Sequence, residues 1–84
     1  PEVVVYTTSA CPWCRRAKRF LEERGVPFEE RDVERDGRAA REMVGKTGQT
    51  AVPVIKIGET WIVGFHPPTM ERELGLAGSG EGRR

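Results

Sequence analysis

Cys11 and Cys14 are the only cysteines of the 84-residue chain, and they stand two residues apart in the stretch Ala10-Cys-Pro-Trp-Cys-Arg-Arg16. Three chemistries use such a pair: metal ligation, a covalent staple, or electron exchange between thiols and disulfides. Zinc asks for four protein ligands at a structural site and three at a catalytic one. Beyond the two cysteines the chain offers one histidine, His66, with no second CxxC and no histidine pair, so no metal is expected. A staple stabilises by closing a long loop, and one closed from Cys11 to Cys14 yields only about 2 kcal/mol before strain.

Electron exchange fits the placement of the pair. From Pro12 to Arg24 the apolar residues Trp13, Cys14, Ala17, Phe20 and Leu21 recur at three- and four-residue steps, which predicts an amphipathic helix. Pro12 suits the first helical position, having no N–H to leave unpaired, and Gly25 suits the stop. Cys11 then sits at the mouth of the helix, with Cys14 one turn inside. Free backbone N–H groups and the positive end of the helix dipole favour a thiolate at Cys11. An unperturbed thiol, with a pKa of about 8.5, is only a few per cent thiolate at neutral pH. Arg15 and Arg16 add positive charge, with a small share from an exposed face. Cys11 is therefore expected to attack a substrate disulfide. Cys14, on the same face and nearer the core, is expected to resolve the mixed disulfide.

The remaining elements follow from patterning. Glu2 to Thr7, with consecutive valines, reads as a strand buried on both faces and central in a sheet. Val26 to Val33 reads as a second strand, giving a βαβ unit with a right-handed crossover. Asp36 is a plausible N-cap for a helix from about Gly37 to Thr47, with Ala40, Met43 and Val44 inward and Gly48 beyond its end. Val52 to Ile57 and Thr60 to Val63 read as antiparallel strands joined by Gly58-Glu59. Pro67-Pro68 opens a third helix to about Leu74, with Met70 and Leu74 inward. The order is β-α-β-α-β-β-α, a four-stranded mixed α/β sheet flanked by three helices. Residues 1–77 are expected to form one domain and 78–84 a flexible tail.

Composition narrows the function. Fourteen Lys and Arg against thirteen Asp and Glu leave a net charge of +1, which argues against a general nucleic-acid binder. The longest apolar run, Val3-Val4-Val5-Tyr6, is far short of a membrane span. No signal-like region opens the sequence, so a cytoplasmic location is expected.

Several residues beyond the cysteines bear on substrate. A proline after Ala51-Val52 could simply open a strand, or the Val52-Pro53 bond could be cis and leave the Val52 backbone free for an extended substrate; both readings stand. Trp13, in the active-site turn, is expected to form a docking surface rather than core. Phe65 either closes the groove opposite Trp13 or caps the core. Trp61 and Tyr6 are expected to pack, and His66 to be a solvated loop residue. Arg15, Arg16, Lys18 and Arg19 form a basic face, whether simply solvated or attractive to an acidic partner.

CPWC after a valine-rich strand, Val52-Pro53 before a later strand, and Gly64 at the end of the last strand together resemble the glutaredoxins, over about Val3 to Leu74. The resemblance implies the thioredoxin fold and a cis Val52-Pro53 bond; with the residue readings above, the expected substrate-binding residues beside Cys11 and Cys14 are Trp13, Val52, Pro53, Gly64 and Phe65. Glutathione-using members carry a Lys three residues before the first Cys, Thr-Val-Pro, and Gly-Gly followed by acidic residues. Here those positions hold Thr8, Ala51-Val52-Pro53 and Val63-Gly64-Phe65-His66-Pro67. The tail of the motif is closer to NrdH-type redoxins and the YruB group of glutaredoxin-like proteins. NrdH-type redoxins take electrons from thioredoxin reductase and pass them to ribonucleotide reductase. The expectation is a monomeric dithiol reductant of protein disulfides, with no bound cofactor, recharged by thioredoxin reductase. Glutathione as reductant, or a dimer holding an iron–sulfur cluster, is the alternative.

Overall fold

Three consecutive valines suit a strand covered on both faces, and β1 (Val3–Thr7) is buried at all five positions. The structure, a computed structural model, describes residues 2–75; the tail expected at 78–84 lies outside the described residues. β1 pairs in parallel with β2 (Glu29–Asp32) on one side and antiparallel with β3 (Val54–Ile57) on the other. β3 pairs antiparallel with β4 (Thr60–Val63), giving the sheet order β2-β1-β3-β4. The helices are α1 (Pro12–Glu23), α2 (Gly37–Thr47) and α3 (Pro67–Leu74), in the expected β-α-β-α-β-β-α order.

Alternation along the strands divides the core in two. Val3, Val5, Ile55, Ile57 and Ile62 face α1 and α3, packing with Ala17, Phe20, Leu21 and Met70. Val4, Tyr6 and Val54 face α2, packing with Ala39 and Met43 and with partly buried Trp61. A sheet with helices on both faces is thus built around β1, whose C-terminal end leads straight to Cys11.

Three sequence expectations need correction. The second strand is Glu29–Asp32, not Val26–Val33, because it is an edge strand that pairs only with β1. Val26 and Phe28 instead pack against the first core on the way to that edge. The third strand begins at Val54, after the Val52-Pro53 turn. On α2, Val44 is 39% exposed, while Ala39 joins Met43 on the sheet side one turn away.

A polar cluster crosses the α2 face. The Tyr6 hydroxyl donates to Glu42 Oε1 at 2.7 Å, and Arg31 Nη1 donates to the same oxygen at 3.0 Å. Arg31 Nε also donates to Glu29 Oε2 at 2.8 Å. Burial, and then the Glu42 carboxylate, push the Tyr6 phenol well above its ordinary range, outweighing Arg31. Arg31 holds Glu29 below the usual carboxylate range by hydrogen bonding. Tyr6→Phe is expected to cost about 1–2 kcal/mol in urea unfolding by loss of a charge-assisted hydrogen bond. A raised phenol pKa contributes stability below about pH 10 that is lost as pH rises beyond it, since the unfolded chain releases its proton first. The stability difference between wild type and Tyr6→Phe should therefore shrink above that pH, measurable by denaturation at pH 8 to 11.

Candidate active site

The end of β1 and the start of α1 place the two cysteines. Cys11 is the N-cap of α1, with extended backbone (φ −127°, ψ 103°), and Pro12 follows at the first helical position. The usual N-cap is a side-chain oxygen accepting a backbone N–H. Here Cys11 Sγ takes that place and accepts from the Cys14 N–H at 3.1 Å, while the Cys11 carbonyl accepts from Arg15 N at 3.2 Å. Cys11 and Cys14 are joined as a disulfide with Cα atoms 5.2 Å apart. Cys14 is 1% exposed and Cys11 8%, so Cys11 is the outer residue of the pair.

Helix α1 is held over the sheet by apolar and polar contacts. Ala17, Phe20 and Leu21 are its core residues. Beside them, Lys18 Nζ donates to Glu30 Oε2 at 2.8 Å, and that oxygen also accepts from Thr7 Oγ1 at 3.1 Å. This clasp ties α1 to the ends of β1 and β2. It also removes Lys18 from the free basic face expected from sequence. Nothing local in the sequence signals the clasp, since its members come from three elements.

Across from α1 lies the turn before β3. Cys11 Sγ is 4.0 Å from the Val52 carbonyl oxygen, and the Val52-Pro53 bond is cis, as the resemblance implied. The Pro53 carbonyl accepts from Gly64 N at 2.8 Å. Gly64 has φ of 86°, a left-handed conformation that any side chain would strain, so the glycine closes β4 beside the proline turn. Cys11, Cys14, Val52, Pro53 and Gly64 therefore converge from distant parts of the sequence.

The aromatic residues form a second wall. Trp13 is 54% exposed, and its ring centroid lies 6.3 Å from that of Phe65. Phe65 also meets Phe20 edge-on at 5.8 Å. Phe65 thus bridges Trp13 to the core residue Phe20. The Arg16 guanidinium lies over the Trp13 ring, 4.6 Å from its centroid. Arg15 and Arg16 are exposed on the far side of α1 from the core. His66 is exposed at the start of α3, with Nδ1 2.8 Å from Thr69 Oγ1. Among the described residues no three His, Cys, Asp or Glu side chains group to hold a metal ion, and no helix is long and apolar enough to cross a membrane.

Such a pair, held across one helical turn at a helix mouth, can pass two electrons by disulfide exchange. Known proteins share both sequence and backbone with this chain. A family model described as Glutaredoxin matches residues 3–62. The Glutaredoxin of Pseudomonas aeruginosa is 45% identical over 64 residues, covering 76% of this chain and 76% of that protein. A variant of the thioredoxin-like protein BC3987 superposes with a TM-score of 0.84 at 27% identity, over 89% of this chain and 96% of that one. The NrdH-redoxin of Escherichia coli superposes with a TM-score of 0.79 at 32% identity, over 86% of this chain and 93% of that one. Carried by sequence and backbone together, the match means that the chain belongs to the glutaredoxin family and is a thiol–disulfide oxidoreductase of thioredoxin-like fold.

Proposed function

We propose that this chain is a dithiol reductant of protein disulfides in the cytoplasm, with Cys11 attacking, Cys14 resolving, and thioredoxin reductase rather than glutathione as its electron source. The observation that carries the assignment is the Cys14 N–H held 3.1 Å from Cys11 Sγ at the start of α1. That donor and the helix dipole stabilise negative charge on Cys11 sulfur. The reduced Cys11 thiolate attacks one sulfur of a substrate disulfide, forming a Cys11–substrate disulfide and releasing the first substrate thiolate. Cys14, deprotonated, then attacks Cys11 Sγ and releases the second. Two electrons and two protons pass to the substrate, leaving the Cys11–Cys14 disulfide seen in this structure.

The groove supports an extended substrate. No hydrogen bond within the described residues occupies the Val52 N–H, which lies on the turn facing Cys11. A substrate strand pairing there would set its disulfide beside Cys11, flanked by Trp13 and Phe65.

The choice of reductant rests on what stands where glutathione-using relatives place their binding groups. Thr8, Ala51, Val63 and Phe65 offer no charged group at those positions to hold glutathione's two carboxylates and α-amine, which leaves only the Val52 backbone and nearby arginine side chains. The NrdH-redoxin of Escherichia coli, described as having a thioredoxin-like activity profile, also favours this reading, and the resemblance to NrdH-type redoxins makes ribonucleotide reductase one candidate substrate. The 45% identity to a Pseudomonas Glutaredoxin favours the glutathione-dependent alternative. Insulin reduction decides between them. Electrons from NADPH through thioredoxin reductase should give at least about tenfold faster turnover than glutathione with glutathione reductase, about 1.4 kcal/mol in transition-state terms. Faster turnover with glutathione would overturn the choice.

A further inference from the structure

Helix α1 distributes charge against its own dipole. Arg15, Arg16, Lys18 and Arg19 lie in its middle and its last residues are Glu22 and Glu23, with no acidic residue in the first turn and no basic residue in the last. The acidic residues of the last turn oppose the helix dipole, whereas the cations in the middle feel little of it. Lys18 is neutralised by Glu30. Arg15, Arg16 and Arg19 are exposed and have no carboxylate partner among the described residues.

These three guanidinium groups are also spatially ordered. With Pro12 they occupy positions i, i+3, i+4 and i+7, one stripe of the helix, and they line an open groove of about 280 Å³. Pro12, which lines the groove, directly follows the N-cap Cys11, and Arg16 also lies over the exposed Trp13 ring. We propose that this groove seats an acidic stretch of the protein whose disulfide Cys11 attacks. The proposal rests on the dithiol reading above and names the class of substrate that site prefers.

The geometry sets the spacing. From Cys11 to Arg19 the helix rises roughly 12 Å at about 1.5 Å per residue. An extended segment covers that length in about four residues. Carboxylates two to four residues from the reacting cysteine therefore meet Arg15, Arg16 and Arg19. A net charge of +1 over the whole chain provides no general surplus for nucleic acid, so the recognition is local and suits a short acidic peptide segment.

Three disulfide-linked peptide dimers test this in single-turnover reactions with pre-reduced protein, read by release of peptide thiol. The first carries an acidic triplet two to four residues from cysteine. The second has the same composition with the triplet about ten residues away. The third carries a lysine triplet in the near position. The first is expected to react about tenfold faster than the second at low salt, with the third slowest. The advantage should shrink in about 0.5 M sodium chloride. Arg19→Glu should bring the ratio of the first two rates to about one, and Arg19→Lys should keep most of it. Equal rates for the first two peptides with wild type, or an unchanged ratio in Arg19→Glu, would overturn the proposal. Equal rates combined with inhibition by a short single-stranded DNA would overturn it in favour of a phosphate site. No reaction with any peptide would sink the dithiol reading, and this proposal with it.

Discussion

Replacing Cys11 by serine is expected to lower disulfide-reducing turnover by at least about 10³-fold, to the level of reaction without protein. A serine hydroxyl at the same N-cap would still accept the Cys14 N–H, so the fold should persist and the loss be one of chemistry. The remaining thiol, Cys14, is the more deeply buried of the two, at 1% exposure. Cys14→Ser should behave differently. Cys11 still attacks and releases one substrate thiol per chain, but nothing resolves the mixed disulfide. Mass spectrometry should find an adduct of one substrate chain that dithiothreitol removes. Full activity in Cys11→Ser, or an absence of adduct in Cys14→Ser under oxidised substrate, would refute the division of labour.

The second large effect concerns the scaffold under the site. Leu21 is fully buried in the core shared by β1, α1 and α3, and its carbonyl also accepts from the backbone N–H of Val26 at 3.0 Å, closing the turn after the helix. Leu21→Ala removes buried apolar volume at the inner end of α1, where neighbours on three elements cannot all collapse inward. The expected cost is about 3 kcal/mol. For a domain of this size that corresponds to a fall in Tm of roughly 12–24 °C, measurable by calorimetry. A fall of less than about 4 °C would mean that α1 is held mainly by its polar clasp, Lys18 and Glu30, rather than by its apolar face.

Local rules made much of this molecule legible. Asp36 and Gly48 mark the ends of α2, and the structure places Asp36 Oδ1 3.1 Å from Ala39 N and Gly48 in the left-handed region with φ of 76°. The valines of β1 announce a strand covered on both faces because double-sided burial leaves no polar alternation. The bounds of β2 are set by its partner rather than by its own residues. Its residues Glu29, Glu30, Arg31 and Asp32 are all charged, and they form a strand only because β1 offers a partner edge. Val44 looked inward by type, yet an eleven-residue helix laid on the sheet through Ala39 and Met43 leaves it on the rim.

The site divides in the same way. The cysteines, their helix and their order from the surface follow from a local motif and the position of Pro12. The groove does not, because its parts come from separate elements. Phe65 bridges Trp13 and Phe20, and Glu30 joins Lys18 to Thr7, only once β4 and β2 are in place. The Tyr6, Arg31 and Glu42 cluster likewise needs β1, β2 and α2 together. Periodicity reports which face of an element is apolar, but the partner of a polar side chain depends on the topology.

If Cys11 is the attacking thiol, it must be the more reactive of the two in the reduced protein. The direct measurement is alkylation of reduced wild type at neutral pH with less than one equivalent of iodoacetamide, followed by peptide mapping. The label should fall on Cys11 at least about tenfold more often than on Cys14, as expected of an N-cap thiolate over a buried thiol. Equal labelling, or a preference for Cys14, would contradict it.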